Sequence, residues 1–405
     1  MMYTAQEVFD FVREEDVKFI RLAFCDTHGR QKNISILPSE LRRAFEDGIS
    51  FDASAICGFG SAEKSDLLLF PDPSTLNVLP WRPSHGKVVR MFCDIRHPDG
   101  TPFARDTRAI LRRAVADAKA AGVTVQFGAE IEFYLFKTDE NGDPTKIPFD
   151  HATYMDVAPE DKGENVRREI CLTLLDMGIQ PESSHHEEGP GQNEIDFRYS
   201  DAMRAADDAM NFITVVKATA RQNGLYADFS PKPLENESGN GLHINMSVKC
   251  DDGTDRTPAF MAGILAHIRD ITAFLNPSEA SYSRFGKCKA PKFVTWSHEN
   301  RSQLIRIPAA KGEYRRIELR SPDPSANPYL AYALLIWAGL DGIEKDMCPA
   351  PAVNLNLLVA PESETREFDT LPGSLAEAVS LTSGSALVRR VLGEDASAFL
   401  TDARR

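Results

Sequence analysis

The sequence is short of cations, of paired cysteines and of long apolar runs. Lys and Arg number 46 against 60 Asp and Glu, a formal charge of −14. Such a balance disfavours nucleic acid or an anionic membrane as the main partner, although a local basic pocket can still hold phosphate. The seven cysteines (Cys25, Cys57, Cys93, Cys171, Cys250, Cys288 and Cys348) form no C-x-x-C pair. Their odd number and irregular spacing exclude a disulfide framework or a zinc ribbon and fit a reduced compartment. The longest apolar stretch, around Tyr329 to Leu340, carries Gly339 and is too short to span a bilayer. The opening MMYTAQEVFDFVREEDVKF is acidic and amphipathic, unlike a signal peptide, so the cytoplasm is the default location. There is no repeat with a period of roughly 20–50 residues. Neither a Walker loop nor a G-x-G-x-x-G at a strand–helix turn is present.

What is there is an ordinary folded composition. The 405 residues are 42% apolar and 26% charged, which excludes a disordered chain or a coiled-coil rod and allows two or three domains. The first hundred residues read mainly as strands and turns. Val17 to Phe24 and Lys32 to Leu37 flank the turn Asp26-Thr27-His28-Gly29, and Val88 to Ile95 is a further strand. The cluster His97-Pro98-Asp99-Gly100-Thr101-Pro102 marks a boundary, dividing the chain into residues 1–100 and 101–405. Beyond it, helices are expected over 106–121, 164–177, 201–222, 258–274 and 328–343. Strands are expected over 123–136, 192–198 and 241–249. The architecture is a small β-rich domain followed by a large α+β one.

Acidic residues stand in the second domain where apolar ones would be expected. Glu130 and Glu132 are two apart on a strand, so their carboxylates share a face. Alone they read rather as a solvated sheet face. In HHEEGPGQNEIDF, however, Glu187 and Glu194 flank a Gly-Pro-Gly turn as on a hairpin. His243 follows two glycines in GNGLHINMS. Arg316, Glu318 and Arg320 alternate, with Arg301 and Arg306 upstream. Carboxylates plus one imidazole on several strands suit a hard divalent cation such as Mg²⁺ or Mn²⁺. Arginines beside them suit phosphoryl transfer, whose transition state spreads negative charge over equatorial oxygens. The pattern points to an ATP-dependent ligase or kinase without a P-loop.

These segments, in this order, resemble the type I glutamine synthetase family. The likeness runs from about Asp16 to near Leu392 and includes FIRLAFCDTHGRQKN, FDASAICGF, GAEIEF, HHEEGPGQNEIDF, GNGLHINMS, NRSQLIRIP and RRIELRSPDPSANPYLAYALLIWAGLDGI. The resemblance implies a β-grasp domain, then a catalytic domain whose curved antiparallel sheet forms a funnel for ATP and glutamate with two divalent metals between them. By position it implies Glu132, Glu187 and Glu194 as ligands of one metal and Glu130, His243 and Glu318 as ligands of the other. It places Arg301, Arg306 and Arg316 on the transferring phosphoryl group, and Arg284, Arg320 and Gly239 at glutamate. Tyr199 and Ser247 fall at the nucleotide. Asp52, contributed by a neighbouring subunit of a ring-shaped homo-oligomer, would deprotonate ammonium in a pocket completed by Glu187 and Tyr154. The implied reaction joins ammonia to the γ-carboxylate of glutamate through γ-glutamyl phosphate.

The sequence departs from that family at three places. Lys289, in Arg284-Phe285-Gly286-Lys287-Cys288-Lys289-Ala290-Pro291, takes the place of a flap glutamate, a charge reversal next to the incoming ammonium. Ala55 replaces a serine of the ammonium site, and Ser61 an arginine tied in a subgroup to glutamine feedback. The sequence given stops at Arg405, short of a segment that locks stacked rings, and no tyrosine between Met347 and Thr365 offers an adenylylation site. Two other readings stay open: a γ-glutamyl-amide ligase using another amine or amino acid, and a non-catalytic relative. All six expected metal ligands being present disfavours the second.

Overall fold

The structure is a computed structural model and describes residues 3–81, 86–394 and 396–400. Its first sheet orders its strands Gln31–Ile36, Val17–Cys25, Lys87–Arg96, Asp66–Pro71 and Ile49–Asp52, with Asn77–Val78 beside Lys87–Arg96. The first two form the expected antiparallel hairpin, whereas Val17–Cys25 and Lys87–Arg96 run parallel. Parallel neighbours need a crossover connection, and the intervening residues supply it. This is the β-grasp arrangement. The domain is less purely β than its sequence reads, because the acidic start folds as the helix Ala5–Glu14. A reciprocal cap between Thr4 and Glu7 begins that helix, and Val8 and Val12 dock it on the sheet.

The second sheet runs Trp296–His298, Ile305–Ile307, Ile317–Leu319, Leu242–Cys250, Val123–Thr138, Gln192–Phe197 and Pro181–His186. Pro144–Pro148, Ser200–Asp201 and Leu225–Asp228 also pair with its central strand. It is antiparallel except between Trp296–His298 and Ile305–Ile307. The helices Thr107–Ala120, Glu164–Asp176, Ala202–Gln222, Thr257–Leu275 and Pro328–Glu344 lie within a residue of the expected bounds. Asp106 caps the first through Arg108 N and Ala109 N, as its position predicts.

Alternation along Val123–Thr138 sorts its side chains onto two faces. Val125, Phe127, Ala129, Ile131, Phe133 and Leu135 are buried in the core, and Phe127 stacks on Tyr332 of Pro328–Glu344 at 4.3 Å between ring centroids. Each of these apart from Ala129 contributes about 1.5–3 kcal/mol by burial. The intervening Glu130 and Glu132 therefore face away from the helices. Thr257–Leu275 is long and apolar enough to cross a bilayer, but it is a core helix packed on Pro328–Glu344.

The two sheets are joined by a buried cation. Arg108 Nε and Nη2 bind the two carboxylate oxygens of Asp207 at 3.1 and 3.0 Å, and Nη2 also reaches Asp72 at 2.9 Å. Asn327 adds a hydrogen bond to the carbonyl of Asp26 at 3.0 Å. Replacing Arg108 by Met would leave two carboxylates without their shared partner, at a cost of about 3–5 kcal/mol. Urea unfolding of the variant is expected to show that loss, and an unchanged midpoint would mean the pairing adds nothing to the joint.

Candidate active site and metal centre

Strand register brings the acidic residues face to face. Glu194 lies directly opposite Glu132, and Asp196 opposite Glu130. On the other side of the central strand His243 lies opposite Glu130. Asn245 and Arg306 lie opposite Glu318 on either side of its strand. All belong to the face that alternation turns away from the helices, and Glu130, Glu132, Glu194, Asp196 and His243 line a cleft of about 990 Å³. Ligand-type atoms of Glu130, Glu194 and His243 lie within 4.8 Å of one another, as do those of His185, Glu187 and Glu194. Glu194 is common to both groups. His243 Nδ1 is 3.3 Å from Glu130, and its Nε2 is 3.9 Å from Glu132.

Hydrogen bonds aim these carboxylates. Asn245 donates to Glu130 at 2.8 Å. Gln192 Nε2 and Gly241 N donate to Glu132 at 3.0 and 2.8 Å, and His185 Nε2 lies 3.0 Å from Glu187. Glu318 is held by Arg306 and by Arg320, the latter at 2.5 Å. Electrostatics divides the cluster. Burial pushes the Glu194 carboxyl well above the usual range, reinforced by the charges of Asp196, Glu132, Glu130 and Glu187. Burial and then Glu130 raise Asp196 to about 6, and burial raises Glu132. Burial also acts on Glu130, but His243 and Asn245 outweigh it and hold that carboxyl at about 2. Glu187 is lowered as well, its burial offset chiefly by His185. Among the described residues no hydrogen bond reaches the buried Oδ1 of Asp196. Crowded carboxylate oxygens with one imidazole and an unpartnered buried oxygen fit a hard divalent cation.

A second network steadies the hairpin that carries Glu187 and Glu194. Buried His186 places Nδ1 2.6 Å from the Glu187 carbonyl and Nε2 2.9 Å from Asp150. Burial works against the charged ring, but these hydrogen bonds to Asp150 and the Glu187 carbonyl outweigh it and raise the imidazole above its ordinary range. Asp150 also accepts from Gly191 N at 3.0 Å, and Arg167 ties Asp161 to Asn193. The turn itself requires Gly189, where a Cβ would fall 1.9 Å from the Tyr134 hydroxyl.

The remaining expected residues distribute around the cleft. Arg301, Arg306, Arg316 and Arg320 line it, with Arg316 Nε 2.8 Å from Asn245. Arg284 is buried beside Gly239 and donates to the Ser321 carbonyl at 3.1 Å. A Cβ on Gly239 would meet Pro231 O at 2.5 Å and the Arg284 side chain at 2.8 Å. Tyr199 and Ser247 line a small adjoining cavity that shares Glu130, Asp196 and Arg316 with the cleft. Tyr154 is exposed at the cleft mouth, where its ring meets that of His185 at 5.4 Å. Asp52 is not brought in. It ends a strand of the other sheet, binds Ser54 N at 2.9 Å, and nothing before Glu130 lines the cleft among the described residues. Sequence reasoning passed over Asp196, His185, Gln192 and Asn245. Asp196 and Asn245 each stand two residues beyond an expected ligand, so the same alternation rule finds them. His185 and Gln192 need the hairpin register.

Residues 16–98 match the glutamine synthetase beta-Grasp domain family and residues 104–405 the glutamine synthetase catalytic domain family. The chain is 45% identical to the glutamine synthetase of Clostridium saccharobutylicum, over 97% of this chain and 92% of that one. It is also 45% identical to that of Methanosarcina mazei, over 96% and 91%. Among solved structures it is similar to a GmaS/ADP complex, with a TM-score of 0.88 and 30% identity over 99% of this chain and 94% of that one. The Plasmodium falciparum glutamine synthetase, at 24% identity, a TM-score of 0.86 and coverage of 98% and 94%, shares the fold.

Since like charges crowd Glu194, replacing it by Gln is expected to raise the melting temperature of cation-free protein by about 1–2 °C, or about 1 kcal/mol. The same change should shrink the further rise produced by Mg²⁺ or Mn²⁺. A lower melting temperature in chelator with an undiminished cation response would remove Glu194 from the centre.

Proposed function

This chain belongs to the glutamine synthetase family, and from that premise we propose that it is a glutamate–ammonia ligase. ATP converts the glutamate side chain to γ-glutamyl phosphate, and ammonia displaces phosphate to give glutamine. The observation that carries the reading is the meeting, in one cleft, of a carboxylate–imidazole cluster with Arg301, Arg306, Arg316 and Arg320.

Glu132, Glu187 and Glu194 are assigned to one divalent ion and Glu130, His243 and Glu318 to a second, with Mg²⁺ or Mn²⁺ as the ions. Ions held there would supply positive charge to offset that of the phosphates and the acyl phosphate. The chain's own residues supply the rest. Arg301, Arg306 and Arg316 meet the transferring phosphoryl oxygens, a task suited to guanidinium forks because the charge is spread over several atoms. Arg284, Arg320 and Gly239 receive glutamate, and Tyr199 and Ser247 the nucleotide. Asp52 removes a proton from ammonium, since only the free base has a lone pair with which to attack. Glu187 and Tyr154 complete that pocket. Asp52 is not among the residues that line its own cleft, which supports a contribution from a neighbouring subunit, hence a homo-oligomer, for which we propose a ring. A cytoplasmic setting and the division at residues 100 and 101 belong to the same reading, which requires neither nucleic acid nor membrane. Seven free cysteines support the compartment.

One observation favours a second acceptor. The Lys289 ammonium pairs with Glu188 and lies 5.5 Å from the centre of the Tyr154 ring; released from that pair it would oppose a small cation and attract an amine bearing a carboxylate. ADP release with glutamate, ATP and Mg²⁺ or Mn²⁺ is expected to be at least as fast with ammonium as with any amine or amino acid. Turnover only with another amine would make the enzyme a different γ-glutamyl-amide ligase. No ADP release from intact oligomer would favour a non-catalytic relative.

Shared sites make a further prediction. Asp52→Asn and Glu187→Gln oligomers are each expected to be nearly inactive, whereas randomly mixed oligomers recover roughly a quarter of wild-type activity. That fraction reflects sites pairing an intact Asp52 from one chain with an intact Glu187 from another. No recovery on mixing would place Asp52 outside the site.

A further inference from the structure

A second cleft, of about 820 Å³, opens between the two domains, and among the described residues it shares no lining residue with the cleft of the carboxylate cluster. Thr75, Asn77 and Phe92 come to it from the β-grasp side, and Arg108, Asp208 and Asn211 from the catalytic side. Behind its wall lies an unsatisfied cation. Arg90 is 1% exposed, and among the described residues its side chain donates only to Asn211 Oδ1, while its Nε and Nη1 have no partner. Burial lowers that guanidinium to about 10. A buried guanidinium with no carboxylate in contact is costly, and an unsatisfied group of this kind in a native fold calls for an explanation.

Asn211 carries that charge to the cleft. Arginine only donates, so the amide oxygen faces Arg90 and the amide nitrogen turns the other way. Asn211 lines the cleft, and among the described residues nothing accepts from its Nδ2. An N–H polarised by a cation behind it is a strong donor to an anion. Asp208 stands three residues earlier on Ala202–Gln222, so the two side chains are neighbours on one helix face, about 5–6 Å apart at Cβ. It is 6% exposed, and Arg204 Nε binds its Oδ2 at 3.0 Å, leaving Oδ1 without a hydrogen bond among the described residues. Burial lifts this carboxyl to about 6 in spite of Arg204, as expected of a group short of cations. A donor for an anion and an acceptor for a cation thus sit side by side. Phosphate fits poorly, because Asp72, Asp176, Asp201, Asp207 and Asp208 all line this cleft. So do the apolar side chains of Phe11, Leu76, Val78, Met177 and Met203.

We propose that this cleft binds a small α-amino acid with an apolar side chain, its carboxylate on Asn211 and its ammonium on Asp208. The site is separate from the reaction assigned above and does not depend on it.

Calorimetry on the intact oligomer tests the pairing with norleucine, with hexanoate, which lacks its ammonium, and with pentylamine, which lacks its carboxylate. Norleucine is expected to bind at one site per chain, and each truncated probe about tenfold more weakly or worse. Saturating glutamate should leave norleucine binding in place. Two near-isosteric variants separate the halves of the site. Asp208→Asn should weaken norleucine and pentylamine about tenfold and leave hexanoate no weaker. Asn211→Asp keeps a partner for Arg90, and should weaken norleucine and hexanoate about tenfold while leaving pentylamine no weaker. Melting temperatures of both variants without ligand check that the joint between the domains is intact, and if one variant fails to fold, the other decides. Three results would overturn the site: no saturable norleucine binding to the wild type, displacement of norleucine by glutamate, or equal affinity in the wild type and the folded variants.

Discussion

Everything in this molecule depends on a sheet that holds like charges against one another. Register sets Glu194 opposite Glu132 and Asp196 opposite Glu130, at the Cα separations of about 4.5–5.5 Å that antiparallel pairs impose. Two carboxylates about 4 Å apart repel by about 4 kcal/mol near a protein surface. No single strand would place them there for its own stability. The opposite face makes it tolerable: Phe127, Ile131, Phe133, Ile195, Ile244 and Leu319 bury themselves against the helices, and alternation forces their neighbours into the cleft. The functional face is thus fixed by the apolar one. A one-residue slip would bury the acids among the helices and expose the aromatics.

That coupling is why so much of the site was legible in the sequence. Odd positions from Val123 to Leu135 read as a core, so the even-numbered Glu130 and Glu132 had to share the other face. The same rule would have found Asp196 and Asn245, which were quoted within motifs but given no role. Pairing across strands was less accessible. Nothing local says that His185 stands opposite Glu194 or that Asn193 is tied by Arg167 to Asp161. Those contacts depend on hairpin register and on a helix lying behind it. In the first domain the hairpin around Gly29 was readable from its turn, whereas the helix Ala5–Glu14 was seen only as an amphipathic start. Its signal lies in Thr4 and Glu7, whose spacing is that of a capping box. The parallel pairing of Val17–Cys25 with Lys87–Arg96 joins strands far apart in the chain, a distance over which pattern carries no information.

The arginines complete the electrostatic logic. Glu318 is fully buried, and Arg306 and Arg320 both bind it. Such a carboxylate cannot be left without a cation, and the two guanidinium groups satisfy it. The same groups line the cleft. An arginine that turns toward a substrate anion gives up part of its hold on Glu318, and Glu318 is then freer to meet another cation. Burial and the charge of Arg301 depress Arg306 despite the pull of Glu318. Cation and anion sites in this cleft are therefore coupled through one buried glutamate.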